Sequence, residues 1–187
     1  SGQKARLRCP GCEWTHWNNP TPVLAAVIQY QDRILLARNA GASFGRSTVL
    51  ASVASATLLG VDGHVVTVEV HVSPGLPAFT IVGLPDTIVR ESRERVRAAI
   101  LNSGFEFPLK RVTVNLAPAS MRKAGPGFDL AIACAILAVG GHLPADALER
   151  YAVFGELGLG GEIRPCRGAL AVAEGTAEAG LVGLVVP

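Results

Sequence analysis

Residues 85–142 read "PDTIVRESRERVRAAILNSGFEFPLKRVTVNLAPASMRKAGPGFDLAIACAILAVGGH", and their punctuation decides the fold. Asp86, just after Pro85, is placed to cap a helix and Gly104 to close it. Between them Ile88, Val89, Val96, Ala99 and Ile100 share roughly one face at helical spacing, with the charges on the other. "KRVTVNLAPA" is a strand that runs out into a loop. "FDLAIACAILAVGGH" is apolar on nearly every side, the pattern of a buried helix.

The flanking text supplies the sheet. "LASVASATLLGVDG" is strand-like and ends in an Asp-Gly turn. "HVVTVEVHVS" alternates, with Thr67, Glu69 and His71 on one face against Val66, Val68, Val70 and Val72 on the other. "AFTIVGL" is a further strand. Downstream, "YAVFGELGLGGEIRP" predicts a hairpin turning at residues 158–161. "CRGALAVAEGTAEAG" is a last helix stopped by Gly180, and "LVGLVVP" a final strand. Strands that first arrive in succession and then alternate with helices predict an α+β, α/β-like sheet packed with helices.

Composition narrows the classes. The chain has 187 residues, enough for one ordinary domain and a small appendage. It is 49% hydrophobic but only 5% aromatic, which suits a core of small, closely packed side chains. A net charge of +2 is too weak to announce nucleic acid by itself. The longest apolar run, residues 130–139, is of core-helix rather than membrane-spanning length. With no signal peptide in view, the expected compartment is the cytoplasm. "SGQK" at the start has no initiator Met and reads as a tag remnant or an excised boundary. Of the four cysteines, Cys134 and Cys166 lie in apolar surroundings and read as buried small hydrophobes. A disulfide framework is not expected in a chain of this size.

Before about residue 40 the text is of another kind. Cys9 and Cys12 form a C-x-x-C knuckle around Pro-Gly, half of a tetrahedral zinc site. No second knuckle follows or precedes it; His16 is a third-ligand candidate or simply an exposed loop histidine. A redox C-x-x-C lacks the strand-then-helix context it needs. "PVLAAVIQY", a turn at "QD" and "RILLARN" predict a hairpin. "NAGASFGRST" reads as a linker: Gly41 and Gly45 are four apart and Arg46 stands where a phosphate-binding loop has Lys. The expected division is 1–40, 41–48 and 49–187.

Two resemblances follow from these residues. "RCPGCEWTHWNNPTPVLAAVIQYQDRILLARN" strongly resembles the start of Nudix hydrolases with an N-terminal zinc ribbon, over about residues 8–40. The resemblance implies a Mg²⁺-binding glutamate helix farther on: Gly, five residues, Glu, seven residues, then Arg-Glu-x-x-Glu-Glu. That box is absent; its nearest echo, "RESRER" from Arg90, lacks the preceding Gly and Glu. Without a carboxylate cluster to hold the cation, diphosphate hydrolysis is not expected.

From about residue 49 the chain resembles the N-terminal domain of the ComM/YifB family of magnesium-chelatase-like AAA+ ATPases. The runs "GLPD…VRESRERVRAA", "VTVNLAPA…RK" and "FGELGLGGEIRPCRGAL" carry the likeness. It implies a fold similar to the Lon protease domain and ribosomal protein S5 domain 2, with the hairpin added at its N-terminus. It also implies a cytoplasmic bacterial ring ATPase on DNA, with a role in natural transformation. Lon proteases use a Ser–Lys dyad. The turn that would carry the Ser reads Gly125, Pro126, Gly127, and the stretch that would carry the Lys reads Ala169, Leu170, Ala171. Lys123 lies on the wrong side of the turn. Walker A is also absent, so neither peptidase nor ATPase chemistry is expected.

The expectation is therefore a non-catalytic accessory domain fused to a Nudix fragment, an engineered or recombined chimera; a rare natural fusion or a misassembled gene is the competing account. No cofactor is certain, and zinc held by Cys9 and Cys12 is expected, if at all, to be shared between two chains as a homo-oligomer. The alternative is a nucleic-acid module. Its cations are Arg90, Arg93, Arg95 and Arg97 on the helix, then Lys110, Arg111, Arg122 and Lys123, the last four being the candidate contacts. A solvated helix face neutralised by Glu91 and Glu94 is the plain reading of the first group. The two later pairs fall at opposite ends of one strand. Asp129, inside an apolar helix, needs a partner, a cap or backbone contact rather than a catalytic role.

Overall fold

The computed structural model describes residues 28–30, 33–35, 49–144 and 146–187. The first hairpin pairs β1 (Ile28–Tyr30) with β2 (Arg33–Leu35) antiparallel, Tyr30 opposite Arg33, as a two-stranded sheet of its own. It adds no strand to the main sheet described below.

The main sheet forms where the β-branched alternation is longest. β3 (Val49–Leu59) and β4 (Asp62–Ser73) are an antiparallel pair joined through the turn at Gly60, whose φ of 66° a side chain would strain. β5 (Ala78–Val82) leads through a loop into α1 (Thr87–Asn102), and β6 (Arg111–Ala117) returns between β4 and β5. α2 (Asp129–Val139) follows a single 3-10 turn at Pro126–Phe128. β7 (Tyr151–Val153), β8 (Glu156–Leu157), β9 (Ile163–Arg164), α3 (Ala169–Glu178) and β10 (Gly183–Val185) complete the order. The six-stranded sheet runs β10-β7-β3-β4-β6-β5. Its centre is antiparallel, and parallel pairs flank it on both sides. This is the expected α+β, Lon-like class.

Register decides the faces. Val66, Val68 and Val70 of β4 stand opposite Ser55, Val53 and Ala51 of β3, and Val68 and Val70 are the register partners of Leu116 and Val114 of β6, with Val112 farther along the same face. All six β4 and β6 residues are wholly buried, packed with α1 and α2 in one core. Each such burial contributes about 1.5–3 kcal/mol. α2 is buried from Asp129 to Leu137, as its sequence predicts. On the opposite face α3 covers only one end, with Val172 packed on Ala56. It comes so close that a Cβ on Gly175 would lie 1.9 Å from the Gly63 carbonyl oxygen.

Two expectations are adjusted, for Ile88 and for the last hairpin, and that for the end of α1 holds. Ile88 does not join the buried face of α1: it is 45% exposed in the first turn, while Ser92 takes a wholly buried place. α1 ends at Asn102, and Gly104 (φ 81°) closes it after a Ser103 cap, its N–H on the Leu101 carbonyl. The hairpin predicted over "YAVFGELGLGGEIRP" is split. β7 joins the main sheet, and only β8 and β9 pair around the turn at residues 158–161. The break lies at Phe154 and Gly155, whose N–H groups donate to Val185 and Gly127 rather than along the hairpin.

Candidate functional site

The turn that opens α2 is where Lon-type chemistry would sit. Gly125 (φ 86°) turns the chain, Pro126 starts the 3-10 turn, and Gly127 is buried. Gly127 has no left-handed φ, so its backbone accepts any residue. What excludes a side chain is Phe154: a Cβ on Gly127 would lie 2.1 Å from Phe154 Cε2 and 2.5 Å from Cζ. A side chain at residue 127 would therefore meet an aromatic ring. Leu170, in the stretch where the resemblance would put a Lys, lies in the first turn of α3 with 75% of its surface exposed.

Lys123 is held elsewhere. Its backbone N–H donates to Leu84 (3.2 Å) and its carbonyl accepts from Asp86 N–H (3.0 Å), bridging it to Pro85. Its side chain is wholly buried and its ammonium donates to the Pro118 carbonyl. Burial lowers its pKa. Lys123 is therefore a correction to the candidate nucleic-acid contacts: it faces inward. Asp86 completes this junction. One carboxylate oxygen accepts from Val89 N–H at 2.8 Å, the expected cap, and the other from Gly125 N–H at 3.3 Å.

Asp129 finds its partner in Arg95. Arg95 Nε donates to Oδ2 at 2.6 Å and Nη2 to Oδ1 at 3.1 Å, a bidentate fork. Nη2 also reaches Ser92 Oγ and the Ile88 carbonyl, both at 3.1 Å, and Leu157 N–H donates to Asp129 at 3.3 Å. The hydrogen bond to Asp129 raises the Arg95 guanidinium above its ordinary pKa. Arg95 thus leaves the group of helix cations offered to solvent. The cue in the sequence was the pairing demand of Asp129; nothing local named Arg95, 34 residues away.

The other cations sort by helix geometry. Arg90, Arg93 and Arg97 recur at i, i+3 and i+7 and fall on the flank toward β5, opposite Arg95. Arg93 Nη1 donates to Phe79 O of β5 at 3.3 Å, and Arg97 lies over the Phe107 ring at 5.7 Å. Arg90 and Arg122 border one shallow pocket with Leu84, Pro85, Asp86 and Thr87. Lys110 and Arg111 are exposed at the start of β6, where Ala78 N–H donates to the Lys110 carbonyl. The two pairs of the sequence reading do sit at opposite ends of β6, and the α1 flank runs between them.

Cys9, Cys12 and His16 lie outside the described residues. Among the described residues no three His, Cys, Asp or Glu side chains gather as metal ligands. Cys134 is buried, and burial pushes its thiol pKa up to about 12; Cys166 is half-buried and also raised, chiefly by burial. Both are protonated near neutral pH.

Residues 68–187 match the family described as subunit ChlI of Mg-chelatase. The chain is 50% identical over 131 residues to the uncharacterized protein YifB of Salmonella typhimurium, covering 70% of this chain and 26% of that protein. It is 52% identical over 115 residues to YifB of Escherichia coli, covering 62% and 23%. It is 47% identical over 121 residues to the competence protein ComM of Haemophilus influenzae, covering 65% and 24%. The chain spans about a quarter of the length of these relatives.

Proposed function

Because the chain belongs to the family of subunit ChlI of Mg-chelatase, with relatives of the ComM and YifB kind, we propose that residues 49–187 act as a non-catalytic, Lon-like accessory domain of a magnesium-chelatase-like AAA+ ATPase. One observation carries the reading: Phe154 fills the place a nucleophile at Gly127 would take. The lysine partner is missing as well, since Leu170 stands in the stretch where the resemblance would put it and Lys123 faces inward. Residues 1–187 contain neither a Walker A nor a Nudix signature, which is in keeping with this reading.

Residues 1–40 are, in this reading, a Nudix fragment joined to that domain, an engineered or recombined chimera. What supports it is the likeness of residues 8–40 to the start of a Nudix hydrolase. The purified chain, incubated with casein, with ATP and Mg²⁺, and with nucleoside diphosphate derivatives and Mg²⁺, is expected to turn over none of them. Turnover that co-purifies with the chain and disappears on a substitution in it would overturn the reading.

The arrangement of Arg90, Arg93 and Arg97 supports a second, compatible reading, a nucleic-acid-binding module. ComM is named a competence protein in Haemophilus influenzae. Affinity for DNA that falls steeply with salt is the corresponding test.

A further inference from the structure

We propose that the β5 side of the domain is a sequence-independent track for a nucleic-acid phosphate backbone, made by Arg122, Arg90, Arg93, Arg97 and Lys110. This rests on the nucleic-acid reading above and assigns it a surface.

The residues form an unbroken series. Arg122 and Arg90 border one pocket at the loop that precedes α1. Arg93 Nε donates to the Arg90 carbonyl at 3.1 Å, and its Nη1 to Phe79 O on β5. Phe79 stacks on Phe107 at 5.4 Å, and Arg97 sits over Phe107. Lys110, whose carbonyl accepts from the N–H of Ala78, the residue before Phe79, closes the series; Arg111 alternates with the buried Val112 and faces the other side of the sheet. β6 alone gives the series a length of about 20 Å. One strand of B-form DNA places a phosphate about every 3.4 Å of axis, about six over that distance.

The charges are available. All five side chains belong to exposed residues. Among the described residues the ion pairs involve Arg95 and Arg164 instead. The nearby acids are Asp86, which borders the Arg90–Arg122 pocket and accepts from the Val89 and Gly125 N–H groups, Glu91, which lies toward Arg95, Glu94 and Glu106; they dilute the track. No aromatic face in the series is free to stack a base. The Phe107 face that would stack a base is under Arg97, and Phe79 and Phe107 are half-buried. Contact is then to phosphates alone, which position without specifying.

The experiment measures binding of the full chain to a labelled 20-base-pair duplex and to a 20-nucleotide single strand across a salt series. The triple variant Arg90→Gln, Arg93→Gln, Arg97→Gln is compared with the control Arg150→Gln, Arg167→Gln, exposed arginines outside the series. The triple variant is expected to lose about tenfold or more in affinity at moderate salt. Its log–log salt slope on duplex should fall by about 2.7, three contacts at about 0.9 each, or about 2.1 on single strand at about 0.7 each. The control should leave the slope unchanged. If the unmodified chain binds and the triple variant keeps its slope, the track is overturned while the nucleic-acid reading stands. An equal loss in the control also overturns the track, since net charge alone would explain it. Absence of salt-dependent binding by the unmodified chain would overturn the reading and the track together.

Discussion

Arg95 of α1 and the wholly buried Asp129 of α2 form a two-point ion pair, at 2.6 and 3.1 Å, that ties the two core helices to the strand at Leu157. Removing one partner strands the other. Asp129→Ala leaves a guanidinium with 20% side-chain exposure without its carboxylate, and Arg95→Met leaves a buried carboxylate alone. Each is expected to cost about 3–5 kcal/mol. The double variant Arg95→Met, Asp129→Leu should regain most of that, because both charges leave together. Urea unfolding of the four proteins gives the comparison; a double variant as unstable as either single would show that the pair is not the source of the loss.

Gly127 predicts a different cost. Its backbone conformation suits any residue, so Gly127→Ser is opposed only by the Phe154 ring. Forcing a side chain into that contact should destabilise by about 1–3 kcal/mol. Adding Phe154→Ala to make room should remove the clash, although the vacated ring volume brings its own cavity cost. The double variant should therefore fail to be additive: its loss is smaller than the sum of the two single losses. Thermal melts of the three variants decide this, and strict additivity would mean that Phe154 yields without strain.

The alternation of β4 and the unbroken apolar character of α2 made the core legible: Val66, Val68 and Val70 and the whole of residues 129–137 are buried as their pattern demands. Periodicity carried less where tertiary contact decides. Ile88 has the right spacing for the buried face yet lies at a helix end, beside no facing element deep enough to cover it. The split at Phe154 is a long-range effect, set by Val185 and Gly127, which no local hairpin signal encodes. The site shows the same limit. The absence of the Ser and Lys could be read at Gly127 and Leu170, but the ring that fills the space comes from 27 residues downstream. Likewise Lys123 and Arg122 are neighbours in sequence with opposite fates, one buried on Pro118 and the other exposed.

The N-terminal knuckle makes a stoichiometric prediction. Cys9 and Cys12 supply two thiolates, and zinc asks for four ligands. If two chains share the ion, purified protein should contain about half a zinc per chain and run as a dimer, and a chelator should release monomer. Mass in solution and metal content with and without chelator test this together. One zinc per chain would implicate His16 or another ligand of the same chain, and a mass indifferent to chelation would remove the segment from assembly.

Lys123 carries a pH signature. Its ammonium is buried on a carbonyl, with no carboxylate partner among the described residues, and burial lowers its pKa below the ordinary 10.5. Between the lowered folded value and 10.5 the unfolded chain holds more protons than the folded one, so this group makes stability rise with pH across that window. Below the window the buried charge opposes folding. Lys123→Met removes the charge while keeping most of the side-chain volume, and the exposed Pro118 can turn its carbonyl to water. The variant is expected to match or exceed the unmodified chain at neutral pH, by up to about 1 kcal/mol. Its advantage should shrink as the pH is raised toward 10.5, because the unmodified lysine is then already neutral in the fold. Denaturant unfolding at several pH values from 7 to about 10.5 measures the difference. A variant that loses stability equally at every pH would show instead that the hydrogen bond to Pro118, and not the buried charge, governs this position.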